Sequence, residues 1–341
     1  MSAVVLDPCG ARADPRMPLL ARALDPDEVE RHLGAARLAL RAIRTVRYKP
    51  GRRCLIEYDL EAAPNEIVTL VAKARSRGAD AATFHLLQAL RARGFDEASP
   101  DGVAVPEPVA VIPALGVWLQ RKVRGTAATA ALAEPGGGAA LAARLADALH
   151  KLHHAGVAAR RRHTMADELR ILHRCLEPLA ERRPEWAQRL GRLLAACDRL
   201  GATTPARPLR GIHRDFYPDH ALLDGERLYL LDFDLYCLGD PALDVGNCVA
   251  HITEQSVRTR GDPDALADRE MALEERFVEL AGEPARPAVR AYALLTLARH
   301  VYLSTQLADR RAFTAALLDL CEHRLGRALS QRAGAAGRVA S

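Results

Sequence analysis

Hydrophobic and polar residues follow one pattern in the first third of the chain and a different one in the rest. Three segments rich in β-branched and aromatic residues come early, namely RAIRTVRY, RRCLIEYDLE and EIVTLVAKAR. Because Pro, Gly and Asn punctuate them in a KPG turn and an AAPNE turn, they predict an antiparallel meander. VAVPEPVAVI and LGVWLQRKV predict two further strands.

Two helices are predicted in the same region, one before the strands and one among them. The first begins at Asp25, with Pro26 in its first turn and Glu28 three residues after the cap. The second runs from about Asp80 to Arg93, with apolar residues at helical spacing. The predicted element order is therefore βββαββ after a leading helix.

After Gly125 the apolar spacing becomes helical. LAARLADALHKLHHAG places its leucines on one face, and similar patterns cover 165–200, 241–255, 264–281 and 287–329. Only a short hairpin within 211–234 interrupts them. The fold class is therefore α+β, with a β-rich lobe before a mostly helical one.

The predicted boundaries follow from these patterns. They are an N-terminal lobe at 1–119, a hinge at 120–125, a helical C-terminal lobe at 126–330 and a tail at 331–341. The tail is low in bulky apolar residues, so we expect it to fray. We expect a nucleotide in the crevice between the lobes.

Composition excludes several classes of protein. The net charge of +5 is small for 341 residues, so it does not indicate nucleic-acid binding. The seven cysteines form no CxxC pair, which favours reduced thiols in a cytoplasmic protein over a zinc site or disulfides. No apolar run reaches membrane-spanning length, and the N-terminus lacks a signal-peptide pattern.

The most informative segment is GIHRDFYPDHALLDGERLYLLDFDLYCLGD, residues 211–240. Asp215 follows a His-Arg pair, and Asp232 comes 17 residues later at the end of an apolar run. A hairpin that turns at Gly225 would bring the two carboxylates to one cleft. Two carboxylates so placed can orient a hydroxyl and hold Mg²⁺, as phosphoryl transfer requires.

Four motifs carry a resemblance to known families: VAKAR with Lys73, HRDFYPDH, LLDFD, and GDPALD at 239–244. In order and spacing the chain resembles the aminoglycoside phosphotransferase and choline kinase families over about residues 40–255. The resemblance implies a protein-kinase-like two-lobed fold with one helix inserted in the small antiparallel sheet. It also implies transfer of the γ-phosphate of ATP or GTP to a hydroxyl of a small molecule.

The resemblance also implies roles for individual residues. Asp215 would be the catalytic acid-base that aims the acceptor oxygen at the γ-phosphate. Asp232 would bind Mg²⁺ through hard carboxylate oxygens. Lys73 would pair with the α- and β-phosphates. Asp234 stays open between a second metal ligand and a turn residue, with the turn favoured.

Other residues would bind the nucleobase or support the catalytic loop. The backbone of the segment Trp118–Val123, which includes Leu119 and Gln120 and runs into the hinge, would contact the base. His213 would brace the loop by hydrogen bonds. The bracing and helix-capping set also includes two acids that flank Pro241, Asp240 and Asp244.

One departure from the family pattern lies at His220, five residues after Asp215, where the family usually has an Asn that serves as a second magnesium ligand. Imidazole is a poorer magnesium ligand than an oxygen donor. His220 could coordinate weakly, hold a water on the metal, or donate to a phosphate. The alternative function is a catalytically impaired nucleotide-binding pseudokinase with a regulatory role.

Two further departures concern the nucleotide. The inserted helix lacks the Glu that pairs with the strand lysine, since its slot falls near Thr83. Asp80 or a carboxylate elsewhere would hold Lys73, unless the register differs by a turn. No GxGxxG loop is present, and Arg52 in the basic turn of the first hairpin either contacts phosphates or is simply exposed.

The acceptor is open: an aminoglycoside-like, sugar-containing or amino-alcohol molecule. Residues 254–283 contain nine acids and four arginines. These acids either form an acidic wall for a cationic acceptor or lie on the solvated face of a helix. A protein substrate is disfavoured because helices follow Asp244 directly. The oligomeric state is also open, with a homodimer as one option.

Overall fold

The structure is a computed structural model that describes residues 3–33, 39–63 and 66–339, with the backbone alone described for 332–339. The chain divides into two compact units. The first comprises Met1–Gly125 together with Leu222–Leu231, and the second comprises Thr126–Ala221 together with Asp232–Ser341. The hairpin at 222–231 thus belongs to the first unit, whereas the sequence boundaries assign it to the helical lobe.

The first unit is built on a six-stranded sheet in the order β1-β2-β3-β4-β7-β6. Its strands are β1 (Val4–Leu6), β2 (Ala39–Lys49), β3 (Arg53–Ala63), β4 (Glu66–Arg75), β6 (Pro108–Ile112) and β7 (Val117–Arg121). All neighbours are antiparallel except β1, which runs parallel to β2. A separate parallel pair joins β5 (Val103–Ala104) to β11 (Arg227–Leu230), and β10 (Ala221–Asp224) lies next to β11.

Alternation along the strands separates an apolar face of this sheet from a polar one. On β3 the core face carries Cys54, Ile56, Tyr58 and Leu60, all nearly inaccessible to water. The leading helices α1 (Leu20–Ala23) and α2 (Pro26–Leu33) pack on that face, where the Tyr58 hydroxyl donates to the Ala23 carbonyl at 2.8 Å.

The inserted helix of the first unit is α3 (Ala81–Arg91), close to its predicted range. Asp80 caps it, because the carboxylate accepts hydrogen bonds from the Thr83 backbone N–H at 3.2 Å and the Thr83 hydroxyl at 2.8 Å. The leading helix begins at Pro26 as expected and ends at Leu33. The sequence pattern predicts that the helix continues through VERHLGAARLAL to Leu40. Residues 34–38 lie outside the described residues, and Ala39 and Leu40 are wrong as helix because they begin strand β2, where they pair with β3.

The second unit is mostly helical. Its helices are α4 (Ala128–Ala133), α5 (Gly138–His154), α6 (Met165–Arg182), α7 (Pro184–Ala202), α8 (Ala242–Arg260), α9 (Ala267–Ala281), α10 (Arg286–Gln306) and α11 (Thr314–Val339). Its short strands are β8 (Thr126–Ala127), β9 (Arg210–Ile212) and β12 (Cys237–Gly239). Pro184 splits the long helix predicted at 165–200, because proline begins a helix readily but breaks its interior. The tail predicted to fray is helical as far as Val339.

Helix α8 lies at the centre of the second unit, with nearly every residue from Ala242 to Val257 buried. Gly246 permits a close approach to α10. A Cβ atom there would lie 2.6 Å from the Val289 carbonyl oxygen and 2.7 Å from the Ala293 nitrogen. The contact between these helices therefore depends on the absence of a side chain at position 246.

The predicted α+β, kinase-like architecture is confirmed, including the antiparallel sheet with its inserted helix and the larger helical region. The sequence patterns did not predict strand β1 (Val4–Leu6). Within the described ranges, no helix is both long and apolar enough to cross a lipid bilayer.

Candidate functional site

The two central aspartates of the sequence analysis flank one β-ribbon of the second unit. Strand β9 pairs antiparallel with β12, and Ile212 lies opposite Cys237. Asp215 follows the end of β9, and Asp232 precedes the start of β12. Because the strands are antiparallel, the end of β9 and the start of β12 lie side by side at the same end of the ribbon. The predicted hairpin, formed by β10 and β11 with its turn at Gly225, connects the same two acidic segments along the chain.

His220 connects these two segments directly. It closes a 3₁₀ turn, Pro218–His220, and its Nδ1 atom lies 2.8 Å from the Asp215 carbonyl oxygen. Its Nε2 atom lies 3.6 Å from Oδ2 of Asp232. The His220 side chain is 12% exposed and that of Asp232 is 30% exposed. One imidazole therefore spans the Asp215 backbone and the Asp232 carboxylate.

The ring of His220 sits in a mixed electrostatic environment. Burial lowers its pKa, and neighbouring His213 lowers it further, while Asp232 and Asp215 oppose the change. Its other ring contact is Tyr217, whose centroid lies 4.1 Å away. The lowered pKa favours the neutral ring, with the proton on Nδ1 because a carbonyl oxygen can only accept.

Two residues of this site have backbone conformations that are rare outside glycine. Arg214 has φ of 73° and Asp232 has φ of 60°, both in the left-handed region. Such conformations cost free energy and persist where the surrounding contacts enforce them, often at functional sites. They mark the residue before Asp215 and the second acid itself.

Asp244 holds the loop that carries Asp215. Its Oδ2 atom accepts from the backbone N–H of His213 at 2.8 Å, and its Oδ1 atom accepts from that of Arg214 at 2.6 Å. His153 donates from Nε2 to Oδ2 at 2.9 Å, and neither side chain is exposed. Asp244 is thus a buried carboxylate with three donors around it.

The other two residues proposed to brace the loop lie elsewhere in the same region. The ring of His213 is fully buried against Phe233, at 4.9 Å between centroids. Asp240 accepts from the Ala242 backbone N–H at 3.0 Å, at the start of α8. Burial raises the Asp240 pKa, and its nearest cation is Arg207 at 3.7 Å.

Sequence reasoning missed a second support of this loop. Asn247 donates from Nδ2 to the Phe216 carbonyl at 2.7 Å and accepts from Arg299 Nη2 at 2.8 Å. Arg299 also lies 3.6 Å from Glu168, which pairs with His163 at 2.5 Å. The one available signal was Asn247 itself. It is a polar residue three positions beyond Asp244, on the helix that begins just after the Gly239–Pro241 segment.

In the first unit, Lys73 lies on β4 opposite Leu55 and Trp118. Its Nζ atom is 5.2 Å from the centroid of the Trp118 ring, within the range of a cation–π interaction. Register therefore places Lys73 on the face of the sheet opposite the core formed with α1 and α2. The Asp80 carboxylate caps α3 and lies 3.6 Å from Arg75.

Three of the residues predicted to contact the base through their backbone lie inside strand β7, which ends at Arg121. Trp118, Leu119 and Gln120 are paired with β4 on one side and β6 on the other. The Lys122 N–H continues this pairing, since it donates to the Thr69 carbonyl at 2.9 Å. Because an interior strand uses its backbone groups in the sheet, the first backbone N–H groups after the sheet ladder belong to the segment from Val123 to Gly125.

Arg52 is exposed in the turn between β2 and β3. Asp14 holds this turn, because its Oδ2 atom accepts from the Gly51 N–H at 2.5 Å and from the Tyr48 hydroxyl at 2.8 Å. Repulsion from Arg53 lowers the Lys49 pKa, with burial, Arg47 and Arg52 adding to it. The turn is therefore both ordered and strongly basic.

The acid-rich stretch at 254–283 is largely compensated by arginines. Eight of its nine acids lie near an arginine of the second unit, and the pairs are Glu254 with Arg258 and Arg310, Asp264 and Glu270 with Arg324, Asp268 with Arg269, Glu274 with Arg286 and Arg290, Glu275 and Glu283 with Arg286, and Glu279 with Arg276. The ninth, Asp262, accepts from the Asp264 N–H. These pairs argue against the acidic wall. The solvated-face interpretation fits the exposed carboxylates of Asp264, Asp268, Glu275, Glu279 and Glu283, whereas Glu254 and Glu270 are largely buried.

Metal binding would rest on few side chains. Among the described residues, no group of three or more His, Cys, Asp or Glu side chains is placed to hold an ion. Asp232 and His220 offer one carboxylate oxygen and one imidazole nitrogen. Such a pair fits a divalent cation that takes its remaining ligands from phosphates and water.

With this geometry described, comparison with known proteins assigns the chain to a family. The model of the phosphotransferase enzyme family (APH) matches residues 57–292, well over half of the chain. The chain therefore belongs to the phosphotransferase enzyme family. A search of the curated proteins finds no match.

Solved structures show the same fold at low sequence identity. A choline/ethanolamine kinase family protein from Mesorhizobium loti is 17% identical, with a TM-score of 0.56 and coverage of 84% of this chain and 91% of that one. Spectinomycin phosphotransferase APH(9)-Ia, in complex with ADP and spectinomycin, is 12% identical, with a TM-score of 0.56 and coverage of 90% and 98%. A thermostable mutant of aminoglycoside phosphotransferase APH(4)-Ia, with ADP and hygromycin B, is 15% identical, with a TM-score of 0.58 and coverage of 89% and 97%.

Proposed function

We propose that the protein transfers the γ-phosphate of a nucleoside triphosphate, ATP or GTP, to a hydroxyl of a small molecule. The observation that carries this proposal is the connection of Asp215 and Asp232 through His220, at 2.8 and 3.6 Å. Membership of the phosphotransferase family and the nucleotides bound by structural relatives support it.

Asp215 acts on the acceptor. Its carboxylate accepts a hydrogen bond from the acceptor hydroxyl and directs the oxygen toward the γ-phosphorus. A bond then forms between that oxygen and phosphorus, while the bond from phosphorus to the β–γ bridging oxygen breaks and releases the nucleoside diphosphate. The hydroxyl proton passes to Asp215. Three donors around Asp244 keep the loop in place during this step.

The first unit supplies cations for the triphosphate. Lys73 pairs with the α- and β-phosphates, and Arg52 in the basic turn adds charge-assisted hydrogen bonds. An anion at that turn would relieve the repulsion that lowers the Lys49 pKa. The backbone of Val123–Gly125, beyond the last ladder hydrogen bond at Lys122, takes the role of base contact in place of the residues inside β7.

Asp232 and His220 would hold a divalent cation, which would neutralise charge on the phosphates when bound. The chain's own contribution is to fix the direction of both ligands. The left-handed conformation of Asp232 sets its carboxylate, and the hydrogen bond to the Asp215 carbonyl sets the His220 ring.

Aminoglycoside-like, sugar-containing and amino-alcohol molecules are the proposed acceptors. Among the structural relatives, APH(9)-Ia is in complex with spectinomycin and APH(4)-Ia with hygromycin B. Because arginines compensate the acidic stretch at 254–283, we do not assign that stretch to a polycationic acceptor. Tyr217, stacked on His251 with centroids 4.5 Å apart, offers a ring surface beside the catalytic loop.

The experiment measures nucleoside diphosphate release with ATP and with GTP across a panel of aminoglycosides, sugars and amino alcohols. Asp215→Ala should lower turnover roughly 10²–10⁴-fold while nucleotide still binds. Asp309→Ala, an exposed aspartate of the same unit, is the control. Turnover retained in Asp215→Ala would remove Asp215 from the mechanism.

The second candidate function is a nucleotide-binding regulatory protein without turnover. The observation that favours it is the imidazole at position 220, where the family pattern has an amide. Thermal-shift titration with ATP, with and without Mg²⁺, separates the two functions. Stabilisation that needs no metal, together with no ATP hydrolysis, would favour the regulatory protein.

A further inference from the structure

We propose that the Asp232–His220 pair selects a first-row transition-metal dication, such as Mn²⁺ or Co²⁺, over Mg²⁺. The proposal deepens the proposed function and rests on it only for the nucleotide that completes the ligand set. It concerns the class of metal at the site, which the family resemblance assigns to magnesium.

First, the hydrogen bond of His220 determines which of its ring nitrogens has a lone pair for a metal ion. Nδ1 lies 2.8 Å from the Asp215 carbonyl oxygen, an atom that can only accept a hydrogen bond. The proton of the neutral ring is therefore on Nδ1. Nε2 then carries a lone pair, and this nitrogen is the one that lies toward Asp232.

The second step is the distance between the two donor atoms. Nε2 of His220 and Oδ2 of Asp232 are 3.6 Å apart, beyond a direct hydrogen bond. Two ligands each about 2.1 Å from one ion are separated by roughly 3.0 Å in octahedral and 3.4 Å in tetrahedral geometry. A small rotation of either side chain would place both atoms on one cation.

The third step is the chemistry of the donors. Magnesium prefers six hard oxygen ligands and is rarely bound by imidazole. First-row transition ions bind imidazole readily, and their affinity rises from Mn²⁺ to Co²⁺. Nε2 of His220, as one of the two protein ligands, therefore shifts the selectivity of the site away from Mg²⁺. The amide oxygen of the family Asn does not have this effect.

The fourth step is how firmly the ring is held. His220 is 12% exposed and is anchored through Nδ1 to the backbone of its own loop. The ring of His213 lies 5.5 Å away and that of Tyr217 lies 4.1 Å away, centroid to centroid. These contacts fix the orientation of the ring. In metal-binding histidines, a hydrogen bond from the second ring nitrogen commonly has this effect.

The test measures metal binding rather than turnover. Co²⁺ is titrated into the full-length protein, with and without a non-hydrolysable ATP analogue, and its visible absorption reports nitrogen ligation. Mg²⁺ and Mn²⁺ affinities follow from competition with Co²⁺. The wild type should bind Co²⁺ at least roughly tenfold more tightly than Mg²⁺, beyond the preference of the analogue alone.

His220→Asn is the main variant, because the amide N–H₂ of Asn can still donate to the Asp215 carbonyl. It should weaken Co²⁺ binding roughly tenfold, change the spectrum and leave Mg²⁺ affinity within about threefold. His220→Gln, which places an oxygen near the former Nε2 position, should behave similarly. His173→Asn is the matched control, since His173 contacts Glu177 and Asp198 instead.

The outcomes separate this proposal from the proposed function. A nitrogen-type cobalt spectrum that His220→Asn abolishes supports it even if no acceptor is ever phosphorylated. Equal Co²⁺ and Mg²⁺ affinities in the wild type, an unchanged spectrum in both folded variants, or no metal binding at all would overturn it. Thermal unfolding of each variant shows that the protein measured is folded.

Discussion

The Nε2 atom of His153 lies 2.9 Å from Oδ2 of Asp244, although the two residues are 91 positions apart and neither side chain is exposed. The same carboxylate accepts from the backbone of His213 and Arg214, the two residues before Asp215. Helix α5 and helix α8 therefore meet at the loop that carries Asp215 through one buried carboxyl group.

Replacement of Asp244 by Asn should destabilise the protein and disturb the loop together. Either carboxylate oxygen of Asp244 now accepts at least one hydrogen bond from an N–H group. An amide N–H₂ in place of one oxygen would face such a donor and could not accept from it. We expect a loss of about 3–5 kcal/mol in the free energy of unfolding, typical of breaking a buried charged pair. Urea denaturation measures it, with exposed Asp262→Asn as the control. A loss below about 1 kcal/mol would contradict the bracing role.

The contact between α8 and α10 predicts opposite effects for two Gly→Ala substitutions. Gly246→Ala places a Cβ atom 2.6–2.7 Å from backbone atoms of α10, so it should cost about 1–3 kcal/mol by overpacking. Gly191→Ala, inside α7 with no atom near its Cβ position, should stabilise by about 0.5–1 kcal/mol. Thermal unfolding of both variants checks the sign, and equal shifts would be inconsistent with the packing.

Glu270 makes stability depend on pH. Burial raises its pKa to about 7, while hydrogen bonding from Thr253 and the charge of Arg324 oppose the change. Between about pH 4.5 and 7 the folded state keeps a proton that the unfolded state has lost. The free energy of unfolding contributed by this group therefore falls as the pH rises through that window and stays low above it.

Glu270→Gln should remove that dependence and retain the acceptor for Thr253, whose hydroxyl donates at 2.6 Å. We expect the variant to be more stable than the wild type at pH 8 by roughly 1–3 kcal/mol and equally stable near pH 4.5. Urea midpoints from pH 4.5 to 8 measure the difference. Glu279→Gln is the control at an exposed carboxylate, and a difference independent of pH would exclude Glu270 as the source.

The basic turn between β2 and β3 should affect nucleotide binding more than chemistry. Arg52→Ala removes an exposed cation and should raise the KM for the nucleotide roughly two- to fivefold, the scale of one solvent-exposed charge interaction. Steady-state kinetics at two salt concentrations measure it, since salt should reduce the difference. Arg77→Ala, another exposed arginine of this unit, is the control. Identical KM values for both variants would remove Arg52 from the nucleotide site.

Local patterns were sufficient to predict much of the fold. The meander β2–β4 and helix α3 were visible because their composition, turns and caps are local properties of the chain. The strand β1 could not be predicted, because three residues are too few to show the alternation of apolar and polar residues that identifies a strand. The split between α6 and α7 at Pro184 follows from proline chemistry and could have been predicted.

The candidate site divides in the same way. Asp215 and His220 lie in one recognisable motif and Asp232 in the next, so the sequence could indicate all three. The contacts that support them could not be predicted, because His153 and Arg299 bind Asp244 and Asn247, the residues that hold the loop, from helices far away in sequence. Which of the predicted base-contact residues lie beyond β7 could not be predicted, since the end of that strand depends on its pairing with two neighbouring strands.

The parallel strand β1 has a practical consequence for handling the protein. It covers the outer edge of β2, where Val5 pairs with Ile43. A variant shortened by its first seven residues would leave the N–H and C=O groups of that edge facing water, and an uncovered edge is a template for strand addition between molecules. Affinity tags that require proteolytic trimming therefore belong at the carboxyl terminus, and light scattering of the shortened protein would reveal the self-association expected of it.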